Sequence, residues 1–371
     1  MPEVRIIDVS KSYGKITALS DISLEVHDGE YVCIVGPSGC GKTTLIKSIA
    51  GIVQPDRGEI LIDGKSVSHL PIEDRGTGYV FQEIALFPHM NVYDNVSYGL
   101  MVRGESPEER KGTVTEMLDM LSIKENSRFY PAELSGGAMQ KTAIARALAS
   151  GSTLLLLDEP LGALDVKVRT VIRHELKRLV KELGLTAIHV THDQEEAISI
   201  ADRIVIMKAG RIVEVGPSDE LYLNPSRIFT AKFLGEANFF VGIVEKHVGK
   251  TLNVKMGDTT LSVRKREKID LEPNDTCVLA IRPEFVKMVH RDEGNRLNAL
   301  KGKIVEASFL GDLMNYIVEA LNGLRVQVKV QISEEEPDIR VGDDVTIVLP
   351  EEHLLIYRHP SEGLEKELAL E

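Results

Sequence analysis

The run GPSGCGKTT, which spans residues 36–44, constrains the fold more than any other part of the sequence. It follows the apolar stretch YVCIV and leads into TTLIKSIAG, whose apolar residues recur at helical spacing. A GxxxxGK[ST] sequence in this strand–loop–helix order surrounds a phosphate with backbone N–H groups at the start of a helix. The chain is therefore expected to contain a nucleotide-binding α/β unit.

The glycines of this loop permit positive φ and a close approach of phosphate to the backbone. Lys42 is expected to reach the β- and γ-phosphate oxygens, and Thr43 to offer a hydroxyl ligand to Mg²⁺. A thiol reagent at Cys40 is expected to block nucleotide binding, although Cys40 can also be read as a small residue that fills space. The predicted nucleotide-binding residues of the loop are Gly36, Ser38, Gly39, Cys40, Gly41, Lys42, Thr43 and Thr44.

A second run, STLLLLDEP, predicts a buried strand that ends in two carboxylates. Asp158 is expected to lie beside the phosphate loop, where an aspartate can hold the water shell of Mg²⁺. Glu159 is the predicted general base, because a carboxylate near the γ-phosphate can accept a proton from the attacking water. The two runs together predict hydrolysis of ATP.

The run LSGGAMQK, residues 134–141, predicts another anion site. Ser135 can cap the helix that follows, and Gly136 and Gly137 let another group approach the backbone at the positive end of the helix dipole. The residues alone leave open whose anion is bound there.

Composition limits the classes of protein that this chain can belong to. The formal net charge of −13 argues against binding of nucleic acid through phosphate neutralisation. The three cysteines form no CxxC pair, so a disulfide framework or a zinc site is not expected and a reducing cytoplasm fits best. The first residues, MPEVRIIDVSKSYG, contain no apolar region of signal-peptide type, and no apolar stretch approaches the length of about 18 residues that a membrane helix needs, so neither a signal peptide nor a membrane span is expected.

Apolar runs of strand length, the first of which is VRIIDV at residues 4–9, alternate with helical runs up to about residue 235, which predicts a mostly parallel sheet buried on both faces. Residues 83–150 show helical periodicity and little strand signal, and are interpreted as a helical subdomain. Residues 236–371 contain short alternating runs separated by turns, which predict an all-β barrel. The segment LYLNPSRIFTAKFLGEAN is interpreted as the linker between the domains 1–235 and 236–371.

These motifs, in this order, resemble the ATP-binding cassette (ABC) ATPases of ABC transporters. LSGGAMQK is similar to the signature motif of that family, in which two cassettes pair head to tail. The resemblance implies that Ser135, Gly136 and Gly137 bind the ATP held by the phosphate loop of a partner, either a second copy or a paralogous subunit. It implies ATP and Mg²⁺ as the cofactors.

Four further positions resemble functional residues of the family. Tyr13 is similar to the aromatic residue that stacks on adenine, and Gln82 to the glutamine that senses Mg²⁺ and the attacking water. Asp165 resembles an aspartate at the dimer interface beside the nucleotide, or caps the following helix. His192 resembles the histidine that contacts the γ-phosphate and steadies the base. As alternatives, Tyr13, Gln82 and His192 are ordinary packing or strand-end residues.

The chain departs from the family at two positions. Ala138 stands where glutamine is common after the two glycines, and Gly162 stands where a serine is common. These departures put in doubt the strength of contacts across the dimer. They remove neither a phosphate ligand nor the base, so an active ATPase is still expected.

The C-terminal region resembles the transport-associated OB-type domain of importer ATPases for sugars, polyamines and ferric ions. IRPEFVKM and FLGDLMNYIVE carry this similarity, through Arg282, Pro283, Glu284, Gly311 and Tyr316. The domain is interpreted as a dimerisation platform, with a sensor of substrate or of a regulatory protein as the alternative.

The resemblance implies an energy-coupling subunit of an ABC importer at the cytoplasmic face of the membrane. Its expected partners are permease subunits, which dock around residues 83–98, and indirectly a substrate-binding protein. An alternative is a soluble ABC ATPase of translation or DNA repair whose OB domain binds nucleic acid. Against this, residues 236–371 contain 18 Lys and Arg and 25 Asp and Glu, a net charge of −7. An exporter subunit is disfavoured only by the C-terminal resemblance.

Overall fold

The computed structural model describes residues 2–266, 269–289, 296–320, 323–332 and 339–369. These residues form two compact units, which divide between Leu221 and Tyr222. Across the described ranges, no helix has both the length and the apolarity that are needed to span a bilayer.

The first unit is an α/β structure. Its strands are β1 (Val4–Tyr13), β2 (Ile16–Val26), β3 (Tyr31–Val35), β4 (Arg57–Ile62), β5 (Lys65–Ser66), β6 (Thr77–Val80), β7 (Leu154–Asp158), β8 (Thr186–Val190), β9 (Arg203–Lys208) and β10 (Arg211–Pro217). Its helices are α1 (Lys42–Ala50), α2 (Val92–Val102), α3 (Pro107–Met120), α4 (Gly136–Ala149), α5 (Val166–Glu182), α6 (Gln194–Ile200) and α7 (Ser218–Leu223), of which α7 ends just past the division.

A six-stranded sheet with the order β10-β9-β3-β8-β7-β6 forms the centre of this unit. All neighbouring pairs are parallel except β9 with β10, so the predicted mostly parallel sheet is confirmed. Val32 and Ile34 of β3 pack with residues of α1. Because side chains alternate along a strand, Tyr31 and Cys33 point to the opposite face, where α6 packs. The sheet is therefore buried on both sides.

A separate antiparallel sheet, with the order β2-β1-β4-β5, holds the first predicted strand. The run VRIIDV was grouped with the parallel strands, but in β1 it pairs antiparallel with β2 and β4. Val4, Ile6 and Val9 of β1 join the same hydrophobic core as α1 and the central sheet. The second sheet thus covers α1 from the other side.

Helices α2, α3 and α4 lie between β6 and β7 in the sequence, within the predicted helical subdomain. Both α2 and α3 contact α4. Ser106 begins α3 with a reciprocal capping box, in which its hydroxyl accepts the Glu109 N–H and the Glu109 carboxylate accepts the Ser106 N–H. Buried Asn95 in α2 fixes the preceding turn through bonds to Phe87 and Met90.

The second unit is mostly β structure. Its elements are α8 (Ile228–Phe233), β11 (Asn238–Val248), β12 (Thr251–Met256), β13 (Thr259–Arg264), β14 (Thr276–Ile281), β15 (Lys287–Val289), β16 (Ala299–Phe309), β17 (Leu313–Ala320), β18 (Arg325–Gln331), β19 (Asp344–Val348), β20 (Leu355–Arg358) and α9 (Leu364–Leu368). Two five-stranded antiparallel sheets, β13-β12-β11-β14-β20 and β15-β19-β16-β17-β18, enclose one core. Of the predicted β runs, positions 321 and 322 lie outside the described residues.

The segment that was interpreted as a linker is largely ordered structure of the second unit. Ile228 and Ala231 of α8 are buried against Val278 of β14 and against Leu355 and Tyr357 of β20. The structural division at Leu221 therefore lies N-terminal to the boundary that the sequence placed after residue 235. The apolar residues of α8 are buried in a packed helix, so this part of the segment is not a linker.

Arg75 closes the C-terminal end of α1, and its replacement is expected to destabilise the first unit. Its buried guanidinium donates to the carbonyls of Ser48, Ile49, Leu70 and Ser68 at 2.9–3.3 Å. Arg75→Met would leave these carbonyls without that donor, at an expected cost of about 2–4 kcal/mol.

Chemical denaturation checks this expectation. Arg57→Met is the matched control, because Arg57 is exposed and makes only a 3.6 Å ion pair with Asp21. An Arg75→Met midpoint equal to that of Arg57→Met would contradict the role given to Arg75.

Candidate functional site

The phosphate loop joins β3 to α1 and has the backbone that its glycines allow. Gly39 and Gly41 have φ of 77° and 106°. A Cβ on Gly41 would lie 2.3 Å from the carbonyl oxygen of Ala18 in β2, so glycine is required there by both conformation and space. A cavity of about 270 Å³ lies over the loop and is lined by Ala18, Ser38, Gly39, Gly41, Lys42, Thr43, Thr44 and Glu159.

Lys42 is fixed by the loop that precedes it. Its ammonium donates to the carbonyl oxygens of Gly36 at 2.8 Å and Pro37 at 3.0 Å. The side chain is buried, yet it lines the cavity. The positive charge is thus held at a defined position beside the backbone N–H groups of the loop, which favours an anion in the cavity.

Asp158 ends β7 next to the first turn of α1. Its Oδ1 accepts a hydrogen bond from the Thr43 hydroxyl at 3.3 Å, and its Oδ2 accepts one from the Tyr79 hydroxyl at 2.9 Å. Burial is the main reason why the pKa of Tyr79 lies far above its usual value, and the Asp158 charge raises it further, so Tyr79 remains a donor. The adjacent hydroxyl and carboxylate oxygens are the hard ligands that Mg²⁺ prefers.

Tyr79 was not identified from the sequence. It lies within the apolar run GYVFQ, where a tyrosine is typical of a strand, and only the pairing of β6 with β7 brings it to Asp158.

Glu159 is the residue on which two other loops converge. Its Oε2 accepts a hydrogen bond from the Gln82 amide at 2.9 Å, and the His192 Nδ1 lies 3.2 Å from the same oxygen. Gln82, Glu159 and His192 follow β6, β7 and β8, and the carboxyl ends of parallel strands meet at one edge of the sheet. The structure therefore brings together the three residues that were predicted to be catalytic.

The backbone of Glu159 is strained. Its φ of 48° lies in the left-handed region, which a residue with a Cβ adopts only at a cost. A hydrogen bond from the Glu159 N–H to the Val190 carbonyl, 2.8 Å long, holds the turn. The turn directs the carboxylate into the cavity that Lys42 and Thr43 also line.

Ser135 and Gly137 of the run LSGGAMQK line a different cavity. Ser135 caps α4 by accepting the Ala138 N–H at 3.3 Å, as its sequence position predicted. A cavity of about 400 Å³ is lined by Ser122, Ile123, Asn126, Ser135, Gly137, Ala138, Lys141, Lys167, Val168, Val171 and Ile172. It shares no lining residue with the cavity over the phosphate loop. Gly136 and Gly137 pack closely on α5 and the turn before it, since a Cβ on Gly137 would lie 2.9 Å from Val168.

Asp165 and Tyr13 are not among the residues that line the phosphate-loop cavity. Asp165 caps α5 by accepting the Val168 N–H at 3.0 Å, which is the structural role that the sequence allowed. Tyr13 ends β1 opposite Ile16 and is half exposed, with the Lys11 ammonium 5.6 Å from its ring centroid. Ala18, which does line the cavity, was missed because no sequence motif marks it.

The comparisons with known proteins agree with this geometry. Residues 19–162 match the ABC transporter family model, and residues 279–356 match the TOBE domain model. The chain is 39% identical to the spermidine/putrescine import ATP-binding protein PotA of Marinobacter nauticus, over 92% of this chain and 91% of that protein. It is also 39% identical to the protein of that name from Haemophilus influenzae, over 93% of this chain and 94% of that protein. The chain belongs to the ABC transporter family.

Solved structures of this family are similar to the cassette part of the chain. A dimeric post-hydrolysis state of an ATP-binding cassette bound to ADP and Pi is 34% identical, with a TM-score of 0.53, and covers 58% of this chain and 98% of that one. The cbiO1 protein of Clostridium perfringens, part of an ABC transporter complex, is 31% identical, with a TM-score of 0.56. The match covers 59% of this chain and 89% of that one.

Membership of this family confirms the predicted fold class and the predicted function as an ATP-hydrolysing subunit of an ABC importer. The similar cassette of known structure is a dimer in its post-hydrolysis state. The relatives reported above are import proteins, which gives no support to the alternative of a soluble factor in translation or DNA repair.

Cys40 is expected to react slowly with thiol reagents. The side chain is buried within the phosphate loop, and this burial raises the pKa of its thiol despite the opposing effect of Lys42. Because the thiolate is the reactive form, alkylation should rise about tenfold per pH unit while the pH stays below that pKa.

Maleimide labelling between pH 7 and 9, followed by peptide mass spectrometry, measures this rate. Cys277 is an internal control, since it is also buried and its pKa is raised to about 11. Rapid labelling of Cys40 at pH 7, independent of pH, would contradict the expectation.

Proposed function

We propose that the chain binds Mg²⁺ and ATP in the cavity over the phosphate loop and hydrolyses the nucleotide with Glu159 as general base. The observation that carries this proposal is the position of Glu159. Its carboxylate lines the same cavity as Lys42 and Thr43 while Gln82 and His192 both hold its Oε2. A base beside an anion site, fixed by two loops, suits hydrolysis of a phosphoanhydride.

The different contacts of the two carboxylate oxygens of Glu159 support this role. The Gln82 and His192 contacts both involve Oε2, and neither of them goes to Oε1. Oε1 is therefore the oxygen that we assign to the attacking water, from which it accepts a proton. Gln82 and His192 keep the carboxylate in one orientation, and we assign to His192, whose side chain is 57% exposed, a contact with the γ-phosphate.

Thr43, which lines the cavity, and Asp158, which accepts the Thr43 hydroxyl, are the proposed Mg²⁺ ligands, with Gln82 as a further ligand. The fit rests on the oxygen pair itself, since the Thr43 hydroxyl lies 3.3 Å from the Asp158 carboxylate and both are hard donors. When bound, the ion neutralises charge on the β- and γ-phosphate oxygens. Lys42 and the loop N–H groups bind the same oxygens, with Gly36, Ser38, Gly39, Cys40, Gly41 and Thr44 completing the loop.

Two copies of the cassette, or one copy and a paralogous subunit, form the proposed working dimer. Ser135, Gly136 and Gly137 are proposed to bind the ATP held by the partner, with Asp165 at the same interface and Tyr13 against the adenine. The separation of the signature cavity from the phosphate-loop cavity within one chain supports action on the partner's nucleotide. ATP binding closes this dimer, and hydrolysis reopens it.

Permease subunits are proposed to dock on the region that follows Gln82. A cavity of about 370 Å³ in the helical subdomain is lined by Met90, Tyr93, Asp94, Ser97, Met101, Pro107 and Arg110. Its mixture of apolar and polar side chains suits a short helix of a partner. This docking places the chain at the cytoplasmic face of the membrane, where a substrate-binding protein acts only indirectly, through the permease.

Glu159→Gln is expected to keep ATP binding and to lower turnover by about 10²–10⁴-fold, because the amide cannot accept the proton. Since ATP then remains bound, the closed dimer should accumulate. Size-exclusion chromatography with light scattering, with and without ATP in the absence of Mg²⁺, measures the dimer. The matched control is Glu159→Gln with Ser135→Arg, which should bind ATP and stay monomeric. Unchanged steady-state turnover of Glu159→Gln would contradict the assignment of the base.

Asp158→Asn is expected to raise the Mg²⁺ concentration needed for half-maximal turnover, because a neutral amide replaces a charged ligand. Tyr79→Phe is the control, since it removes only the hydrogen bond to Asp158 Oδ2 and keeps the carboxylate. Turnover measured across a Mg²⁺ titration separates the two. Equal Mg²⁺ dependence of Asp158→Asn and the unsubstituted protein would rule out Asp158 as a ligand.

A further inference from the structure

A cluster of buried polar side chains lies on the face of the central sheet that packs against α6. Tyr31 of β3 and His189 of β8 are fully buried, and Glu196 of α6 is 3% exposed. Buried ionisable groups are rare unless they are paired, because desolvation is costly. None of these three residues lines the phosphate-loop cavity, so they have no part in the site described above.

The first link of this cluster joins β3 to β8. The Tyr31 hydroxyl lies 3.0 Å from His189 Nδ1, and the other ring nitrogen, Nε2, lies 3.5 Å from Glu196 Oε1. Burial lowers the pKa of His189 despite the opposing effect of the Glu196 charge, and the lower pKa favours the neutral imidazole. A neutral ring carries one N–H. A lone pair on Nε2 would face the carboxylate oxygen, so the proton lies on Nε2 and Nδ1 accepts from the tyrosine.

The second link joins Glu196 to the loop that carries His192. Glu196 Oε2 accepts the Thr191 hydroxyl at 2.6 Å, and the same hydroxyl oxygen accepts the Asp193 N–H at 3.0 Å. Because the Thr191 hydroxyl oxygen accepts the Asp193 N–H, the hydroxyl acts as a donor only towards the Glu196 carboxylate. Both neighbours of His192 in the sequence are thus tied to this carboxylate, and the Asp193 carboxylate is held in addition by Arg169 at 3.0 Å.

We propose that Tyr31, His189, Glu196 and Thr191 form a buried polar relay that fixes the His192 loop, with His189 and Glu196 as positioning residues for ATP hydrolysis. Hydrogen bonds form the two ends of this relay, and the 3.5 Å ion-pair contact between His189 Nε2 and Glu196 Oε1 joins them. The relay starts on β3, the strand that leads into the phosphate loop, and ends beside the residue that contacts Glu159. It therefore links the placement of the nucleotide to the placement of the base. This inference rests on the proposed role of His192.

A polar residue is needed at position 189 because an apolar side chain there would leave buried polar groups without their present contacts. A phenylalanine at position 189 has nearly the volume of histidine, but it leaves the Tyr31 hydroxyl and Glu196 Oε1 without the ring nitrogens between them. Buried polar groups that lose a partner shift towards other partners or admit water. Either response releases Glu196 from its present orientation and loosens Thr191.

His189→Phe is expected to lower kcat about tenfold and to change the KM for ATP less than about twofold, since the loop and not the nucleotide site is altered. Ile188→Val is the matched control, because Ile188 is a buried neighbour on the same strand that packs on the opposite face of the sheet. The Ile188→Val substitution should lower the melting temperature and leave kcat unchanged. A His189→Phe enzyme with the kcat of Ile188→Val would overturn the inference.

A double-mutant cycle separates this inference from the proposed function. If His189 acts through His192, His189→Phe changes kcat in the unsubstituted protein but not in a His192→Ala background. An equal effect in both backgrounds refutes the relay while the role of His192 stands. If His192→Ala alone leaves kcat unchanged, the proposed role of His192 fails, and the inference fails with it.

The tautomer of His189 gives a readout that does not depend on turnover. Two-bond ¹H–¹⁵N correlation spectra of histidine-labelled protein should show the proton on Nε2. Glu196→Gln should move it to Nδ1, because the new amide donates to Nε2 while its oxygen still accepts from Thr191. His189→Phe identifies the signal. An Nδ1 proton in the unsubstituted protein, or no change in Glu196→Gln, would refute the relay.

Discussion

The hydrogen bonds that meet at Glu159 Oε2 depend on a property of parallel sheets, namely that the carboxyl ends of neighbouring strands lie at one edge. Gln82, Glu159 and His192 are far apart in the sequence, but each follows a strand of the same sheet. The strand order β3-β8-β7-β6 places the phosphate loop and these three residues along that edge. The order of the strands, and not the sequence separation, decides which side chains can meet.

The antiparallel sheet contributes to the same edge through a backbone contact. The carbonyl of Ala18 approaches Gly41 so closely that no side chain fits there, and the Ser20 N–H donates to the Gly210 carbonyl at 2.8 Å. β2 is thereby held against both the phosphate loop and the turn between β9 and β10. Gly41 consequently serves two purposes. It permits the positive φ of the residue that precedes α1, and it leaves room for the second sheet to pack against the loop.

The parts of the fold and site that the sequence predicts well are those that local patterns determine. The phosphate loop, the Asp158–Glu159 pair and the cap at Ser135 each follow from residue type and immediate context. Position in a sheet does not follow in this way, which is why β1 was grouped with the parallel strands and α8 was interpreted as linker. Tyr79 and Ala18 were missed for the same reason, because the pairing of β6 with β7 brings Tyr79 to the site and the close approach of β2 to Gly41 brings Ala18 there.

The buried relay shows the same limit of what can be predicted from the sequence. Neither His189 nor Glu196 was identified from the sequence. Their meaning arises from alternation along β3 and β8, which points Tyr31 and His189 away from α1 and towards α6. A strand that leads into the proposed site thus has two faces with different contacts. One face packs α1 beneath the phosphate loop, and the other holds the polar contacts that orient the loop of His192.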